Sequence, residues 1–113
     1  MQKLLILLLG AGLLALASVA RADSPSLSIS IKGQGFVPQE IAVPAGTKLQ
    51  LVISNLDDLP AEFESYDLSR EVVVPAHSQV KIYIGPLDPG RFRFFNDFHQ
   101  SSEGWVVVAA ATK

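Results

Sequence analysis

The sequence contains no cysteine, and its only methionine is Met1. No disulfide can form, so the fold has to rest on its apolar core. Thiolate and thioether ligands are missing from every position after Met1, which excludes soft-sulfur metal sites there. A metal bound by this chain must therefore be held by oxygen and nitrogen ligands.

Positive charge is also scarce. The chain has 9 Lys and Arg residues against 11 Asp and Glu residues, and its formal net charge is −2. Nucleic acid binding needs a basic surface, so this class of partner is excluded. A mildly acidic domain remains compatible with binding cations.

Motifs of group-transfer and hydrolytic enzymes are absent as well. The sequence has no nucleophile elbow and no phosphate-cradling glycine loop, and we find no supportable serine–histidine–aspartate arrangement. Paired carboxylates also occur in glycoside hydrolases, but a domain this small lacks the long loops of a sugar cleft. Whether the protein is an enzyme stays open at this point.

The first 22 residues have the pattern of a secretory signal peptide. A basic start at Lys3 precedes an apolar run over Leu4–Leu16, and Ala20–Ala22 has the small-residue pattern of a cleavage site. The alternative is a retained membrane anchor, for which the run is short. We expect cleavage, export from the cytoplasm, no stable membrane span afterwards, and one mature domain over residues 23–113.

After residue 22 the sequence consists of short apolar or alternating runs separated by turn residues, without a convincing helix. The pattern predicts an all-β domain, an antiparallel Greek-key β-sandwich. The segment Asp58–Arg70 is ambiguous and could hold a helical turn. The predicted strands are Leu27–Ile31, Glu40–Val43, Lys48–Ile53, Glu71–Val74, Val80–Ile84, Phe92–Phe95 and Trp105–Ala109.

Two pairs of polar residues stand out as candidate metal ligands. Glu62 and Glu64 flank Phe63, and Asp97 and His99 flank Phe98. In an extended chain this spacing places both members of a pair on one face. If the two segments lie side by side, three carboxylates and one imidazole converge, a ligand set suited to Fe(II), Cu(II), Zn(II) or Mn(II).

Each of these residues also has a simpler interpretation. Neither Glu-x-Glu nor Asp-x-His is a specific motif, and acidic or imidazole groups near loops are usually solvated. The other histidine, His77, follows Pro75 in a turn between two predicted strands. For His77 the solvated interpretation is favoured.

Longer segments resemble the cupredoxin-like family over nearly all of the chain after residue 22. The resemblance implies the sandwich fold predicted above. The matching segments are Phe36–Pro38, Ile41–Thr47, Leu49–Asn55, Val74–Pro75, Ile84–Leu87, Pro89–Phe94 and Gly104.

The ligand positions of the copper-carrying members are changed. Pro60–Glu62 stands where the family has its first histidine ligand, and Asn96 stands where it has its cysteine. Only His99 keeps a copper-ligand identity, and no methionine follows it. A type 1 copper centre needs the thiolate, so this kind of electron-transfer site is excluded.

Within the family, the chain is most similar to the EfeO-type cupredoxin-like domains, through segments 62–68, 70–71, 84–87 and 94–99. Small exported members of that type are associated with ferrous-iron uptake systems built around an iron permease. The resemblance implies a periplasmic protein that binds iron or copper, assisting ferrous-iron oxidation or delivering the ion to the permease.

Three functional hypotheses follow. The first is a metal-binding accessory of iron uptake, with Glu62, Glu64, Asp97 and His99 as ligands. The second is a metal-free module, in which the three carboxylates form a charged rim that docks to an envelope partner. The third is a copper carrier that uses the same site.

Overall fold

Nine strands form between residues 24 and 110, the part of the chain that the computed structural model describes. The predicted signal peptide, residues 1–22, lies outside the described residues. Within residues 24–110 no helix is long and apolar enough to cross a membrane. The strands are β1 (Ser26–Lys32), β2 (Gly35–Val37), β3 (Glu40–Val43), β4 (Leu49–Asn55), β5 (Ala61–Ser65), β6 (Arg70–Val74), β7 (Gln79–Ile84), β8 (Gly90–Asn96) and β9 (His99–Val108).

The strands form two sheets, with the orders β2-β1-β4-β7 and β3-β9-β8-β5-β6. The prediction of an all-β sandwich is confirmed. Both sheets are mixed, however, because β1 pairs parallel to β4 and β3 pairs parallel to β9. The chain leaves the first sheet after β2 and returns to it in β4, so β4 runs in the direction of β1.

The core lies between the two sheets and is built from the inward positions of alternating strands. Ile29 and Ile31 of β1 are fully buried, whereas Ser30 between them is half-buried and Ser28 before them is exposed. Three phenylalanines meet at the centre. The ring centroid of Phe94 lies 4.9 Å from the ring centroid of Phe36 and 5.1 Å from that of Phe63. Burial of each such side chain contributes about 1.5–3 kcal/mol.

The segment that was ambiguous in the sequence, 58–70, forms strand β5 and a turn at 66–69. Ser65 holds this turn, because its Oγ accepts a hydrogen bond from Leu68 N and donates one to the carbonyl oxygen of Arg93. Strand β5 thus lies inside the five-stranded sheet, between β8 and β6. This location places its two glutamates on a folded surface with neighbours on both sides.

Candidate metal centre

Strand β5 presents Glu62 and Glu64 on the outer face of the five-stranded sheet. Residues Ala61, Phe63 and Ser65 are buried, and the two glutamates between them are half-buried. The period of two in a strand explains this arrangement, because Phe63 anchors one face in the core. The predicted pairing of Glu62 with Glu64 on one face is therefore found.

Asp97 joins this pair through the turn between β8 and β9. Its backbone N–H donates a hydrogen bond of 2.9 Å to the carbonyl oxygen of Glu62. In register, Phe63 pairs with Asn96 and Glu64 with Phe95, so Asp97 follows alongside Glu62. One ligating oxygen from each of Glu62, Glu64 and Asp97 lies within 4.8 Å of the others.

A fourth carboxylate, which the sequence interpretation missed, borders this cluster. Glu71 of β6 lies directly opposite Glu64 of β5 in the antiparallel register. Side chains opposite each other on neighbouring strands share a face. We refer to Glu62, Glu64 and Asp97 as the carboxylate cluster, with Glu71 as its neighbour on β6.

Burial and the neighbouring acids both act on the pKa values of Glu62 and Glu64. Burial raises the pKa of Glu62 to about 7, and hydrogen bonding and charge repulsion from Asp97 and Glu71 add to the rise. Burial, followed by the charges of Glu71 and Asp97, also raises the pKa of Glu64. Burial is thus the main cause of both shifts, and the neighbouring carboxylates add to them because like charges disfavour ionisation.

The carboxylate cluster is not part of any ion pair among the described residues. Among residues 24–110 the ion pairs are Arg93 with Glu103 and Arg91 with Glu40, and the His77 ring lies in hydrogen-bond contact with Asp58. Within that part of the chain, no member of the carboxylate cluster has a basic side chain in salt-bridge contact. The negative charge of the cluster is therefore available to an external cation.

His99 is not in the group of ligating atoms formed by the three carboxylates. Asp97 and Phe98 are the two turn residues of a tight hairpin in which Asn96 pairs with His99. The segment 97–99 is thus not extended, and the spacing argument for a shared face does not apply to it. The exposed His99 ring instead has Nδ1 2.9 Å from Ser102 Oγ.

Asn96, at the position that the family resemblance assigns to cysteine, is a buried structural residue. Its Oδ1 accepts hydrogen bonds from Glu62 N and Phe98 N, both of 3.1 Å. Its Nδ2 donates to the carbonyl oxygen of Gln34 at 3.2 Å. The side chain links β5, the turn after β8 and the turn between β1 and β2.

Comparison with known proteins gives consistent similarities. Residues 4–108 match the model of the cupredoxin-like domain. An uncharacterised protein of Rickettsia prowazekii (strain Madrid E) is 45% identical over 83 residues, which cover 73% of this chain and 66% of that protein.

Solved structures with the same fold include several copper proteins. The metal-binding domain of the Cu(I)-exporting P-type ATPase CopA of Streptococcus pneumoniae D39 superposes with a TM-score of 0.67 at 15% identity, covering 74% of this chain and 84% of that one. A purple cupredoxin from Nitrosopumilus maritimus gives 0.57 at 18% identity, with coverages of 73% and 98%. Amicyanin from Paracoccus versutus gives 0.58 at 17% identity, with coverages of 79% and 84%. At these identities the likeness shows the fold.

The residues of this chain do not fit a type 1 copper site. Such a site needs a cysteine thiolate, and the sequence contains none. At the corresponding position both polar atoms of Asn96 are used in hydrogen bonds to the backbone. Near the first-histidine position stands the buried Ala61, whose side chain has no ligating atom. Oxygen ligands on the outer sheet face are the available alternative.

Proposed function

The chain belongs to the cupredoxin-like family, and from this premise we propose that it binds an iron or copper ion at the carboxylate cluster. The ion is cargo in this proposal, taken up and passed on. The observation that carries the proposal is the convergence of oxygens from Glu62, Glu64 and Asp97 within 4.8 Å. The fold places these three side chains together without a basic partner inside residues 24–110.

The spacing of the oxygens suits a metal ion. Carboxylate oxygens bind transition metals such as zinc at about 2.0–2.2 Å, so ligands on opposite sides of an ion are about 4 Å apart. Oxygens within 4.8 Å reach that geometry through small side-chain rotations. A bound cation also offsets the repulsion from Glu71 and Asp97, which adds to the effect of burial in raising the pKa of Glu62.

The carboxylate ligands favour some metal ions and oxidation states over others. Carboxylates prefer hard cations, so the cluster should hold Fe(III) or Cu(II) more tightly than Cu(I), which prefers sulfur. This preference supports a role in iron handling and gives a copper carrier that works with Cu(I) little support. Stronger binding of Fe(III) than of Fe(II) also favours the oxidation of bound ferrous iron by an external oxidant.

The finer assignment is that of an EfeO-type accessory of ferrous-iron uptake. We propose that the mature protein works in the periplasm and hands its ion to an iron permease. The support is the similarity of segments 62–68 and 94–99 to that subgroup, since these segments contain all three cluster carboxylates. Cell fractionation tests the location: recovery in the periplasmic fraction without residues 1–22 is expected, and cytoplasmic recovery of the full chain contradicts it.

Calorimetric titration with Cu(II), and with Fe(II) under anaerobic conditions, tests the binding itself. We expect one ion per chain with a Kd of about 1 μM or lower, equivalent to about 8 kcal/mol of binding free energy. Glu64→Gln and Asp97→Asn should each weaken binding about tenfold or more.

The matched control is Glu40→Gln, which removes a carboxylate from β3 in the same sheet, where Glu40 pairs with Arg91. This variant should bind like the wild type. A wild-type protein that binds neither ion contradicts the proposal and supports a metal-free docking module.

A further inference from the structure

The two fully buried asparagines of the chain differ in what their side chains hold in place. Asn55 and Asn96 are each 1% exposed. Each makes three side-chain hydrogen bonds to backbone groups. The bonds of Asn55 end on Asp57, Leu59 and Val74, whereas one bond of Asn96 ends on the cluster residue Glu62.

The backbone N–H and the carbonyl oxygen of Glu62 both form hydrogen bonds to residues at the end of β8. Glu62 N donates to Asn96 Oδ1, and the Glu62 carbonyl oxygen accepts from Asp97 N. The second bond to Asn96 Oδ1 comes from Phe98 N, on the far side of Asp97. One side-chain oxygen therefore fixes the backbone position of Glu62 relative to the two-residue turn that contains Asp97.

An asparagine suits this position because its amide supplies both kinds of group. Oδ1 has two lone pairs, which the two N–H groups occupy, and Nδ2 donates to Gln34 O. Without this side chain, two partly buried backbone N–H donors would lose their acceptor.

We propose that Asn96 is a positioning residue for metal binding, which fixes the distance between the carboxylates of Glu62 and Asp97 before the ion arrives. This inference rests on the proposed function. The family resemblance aligns Asn96 with a copper ligand. In this chain, Asn96 instead organises the ligands on the outer face of the sheet. Residues that orient metal ligands in this way typically change metal affinity by about 10-fold to 100-fold when they are replaced.

The test compares Asn96→Ser with Asn55→Ser. Both substitutions remove one buried amide with three hydrogen bonds, so both should lower the unfolding midpoint in urea by similar amounts. Cu(II) titration at a temperature where both variants are folded should then separate them. We expect Asn96→Ser to bind about 10-fold to 100-fold more weakly than the wild type, and Asn55→Ser to bind within about threefold of it.

Two outcomes overturn the inference: equal losses of affinity in both variants, and wild-type affinity in Asn96→Ser. A wild-type protein that binds no Cu(II) contradicts the proposed function and this inference with it, so the two failures are distinguishable.

Should Asn96→Ser not fold, hydrogen exchange in the wild-type protein gives the answer. The amides of Glu62 and Phe98 should already be protected without metal, because both donate to Asn96. Rapid exchange of these two amides in the metal-free protein overturns preorganisation by Asn96.

Discussion

Glu64 and Glu71 lie directly opposite each other on β5 and β6, so two carboxylates share one face of the sheet without a basic residue in salt-bridge contact among residues 24–110. Opposed like charges destabilise a sheet. The charge of Glu71 also contributes to the raised pKa of Glu64. The arrangement costs stability in the metal-free protein and leaves the charge available to a cation.

Replacing Glu71 with glutamine should therefore stabilise the metal-free protein. We expect the free energy of unfolding to rise by about 0.2–1 kcal/mol, the size of a cross-strand pair effect. Urea denaturation without metal provides the measurement. The control, Glu40→Gln, breaks the surface pair with Arg91 and should lower stability by about 0–1 kcal/mol. Destabilisation by Glu71→Gln would contradict the account of crowded charge.

Stability should also depend on pH through Glu62. Its pKa is raised to about 7 in the folded protein, against an ordinary value of 4.5. The folded state therefore holds a proton that the unfolded chain releases, and this contribution is complete below pH 4.5 and lost as pH rises through 7. After allowance for screening by solvent, the loss is about 1 kcal/mol.

The comparison for this prediction is Glu62→Gln, which lacks the titrating group. Urea midpoints of wild type and variant, measured without metal from pH 4.5 to pH 8, should diverge as the pH rises, with the wild type losing more stability. Parallel curves would show that the folded-state pKa of Glu62 is not raised.

Gly104 should tolerate no side chain. A Cβ at this position would lie 2.5 Å from the ring of Phe94 and 2.8 Å from the carbonyl oxygen of Gln39. The Phe94 ring is fully buried at the centre of the core and has no free space to move into. We expect Gly104→Ala to cost about 1–3 kcal/mol of unfolding free energy, as overpacking does.

Gly35→Ala is the matched control for Gly104→Ala. Gly35 is also a strand glycine, but the nearest atoms to its added Cβ are 3.9 Å away, at ordinary contact distance. The thermal unfolding midpoint of Gly35→Ala should stay close to that of the wild type. Equal midpoints for the two variants would contradict the packing of Phe94 against Gly104.

The strands with clear alternation could be predicted from the sequence, and β5 could not. Ile29 and Ile31 alternate with serines, which is the pattern of a half-buried strand. Strand β5 has a single large apolar residue, Phe63, between two glutamates, and glutamate is uncommon in strands. Its strand conformation comes from hydrogen bonding to β6 and β8 on both sides.

For the candidate site, spacing could predict which side chains share a face only where the backbone is extended. The pairing of Glu62 with Glu64 followed from spacing alone, because that segment is extended. The same spacing for Asp97 and His99 falls on a tight turn, and a two-residue period has no meaning there. Glu71 was missed because its position opposite Glu64 depends on the register set by the turn at 66–69.

The location of the bound ion is the central claim, and paramagnetic NMR tests it most directly. Cu(II) added in small amounts to the 15N-labelled protein broadens the amide signals nearest to the ion. We predict the strongest broadening at Glu62, Glu64 and Asp97, with Glu71 next. Broadening that is strongest at His99 and Ser102 and weaker at Glu62 and Glu64, or strongest around the His77–Asp58 pair, would contradict the account.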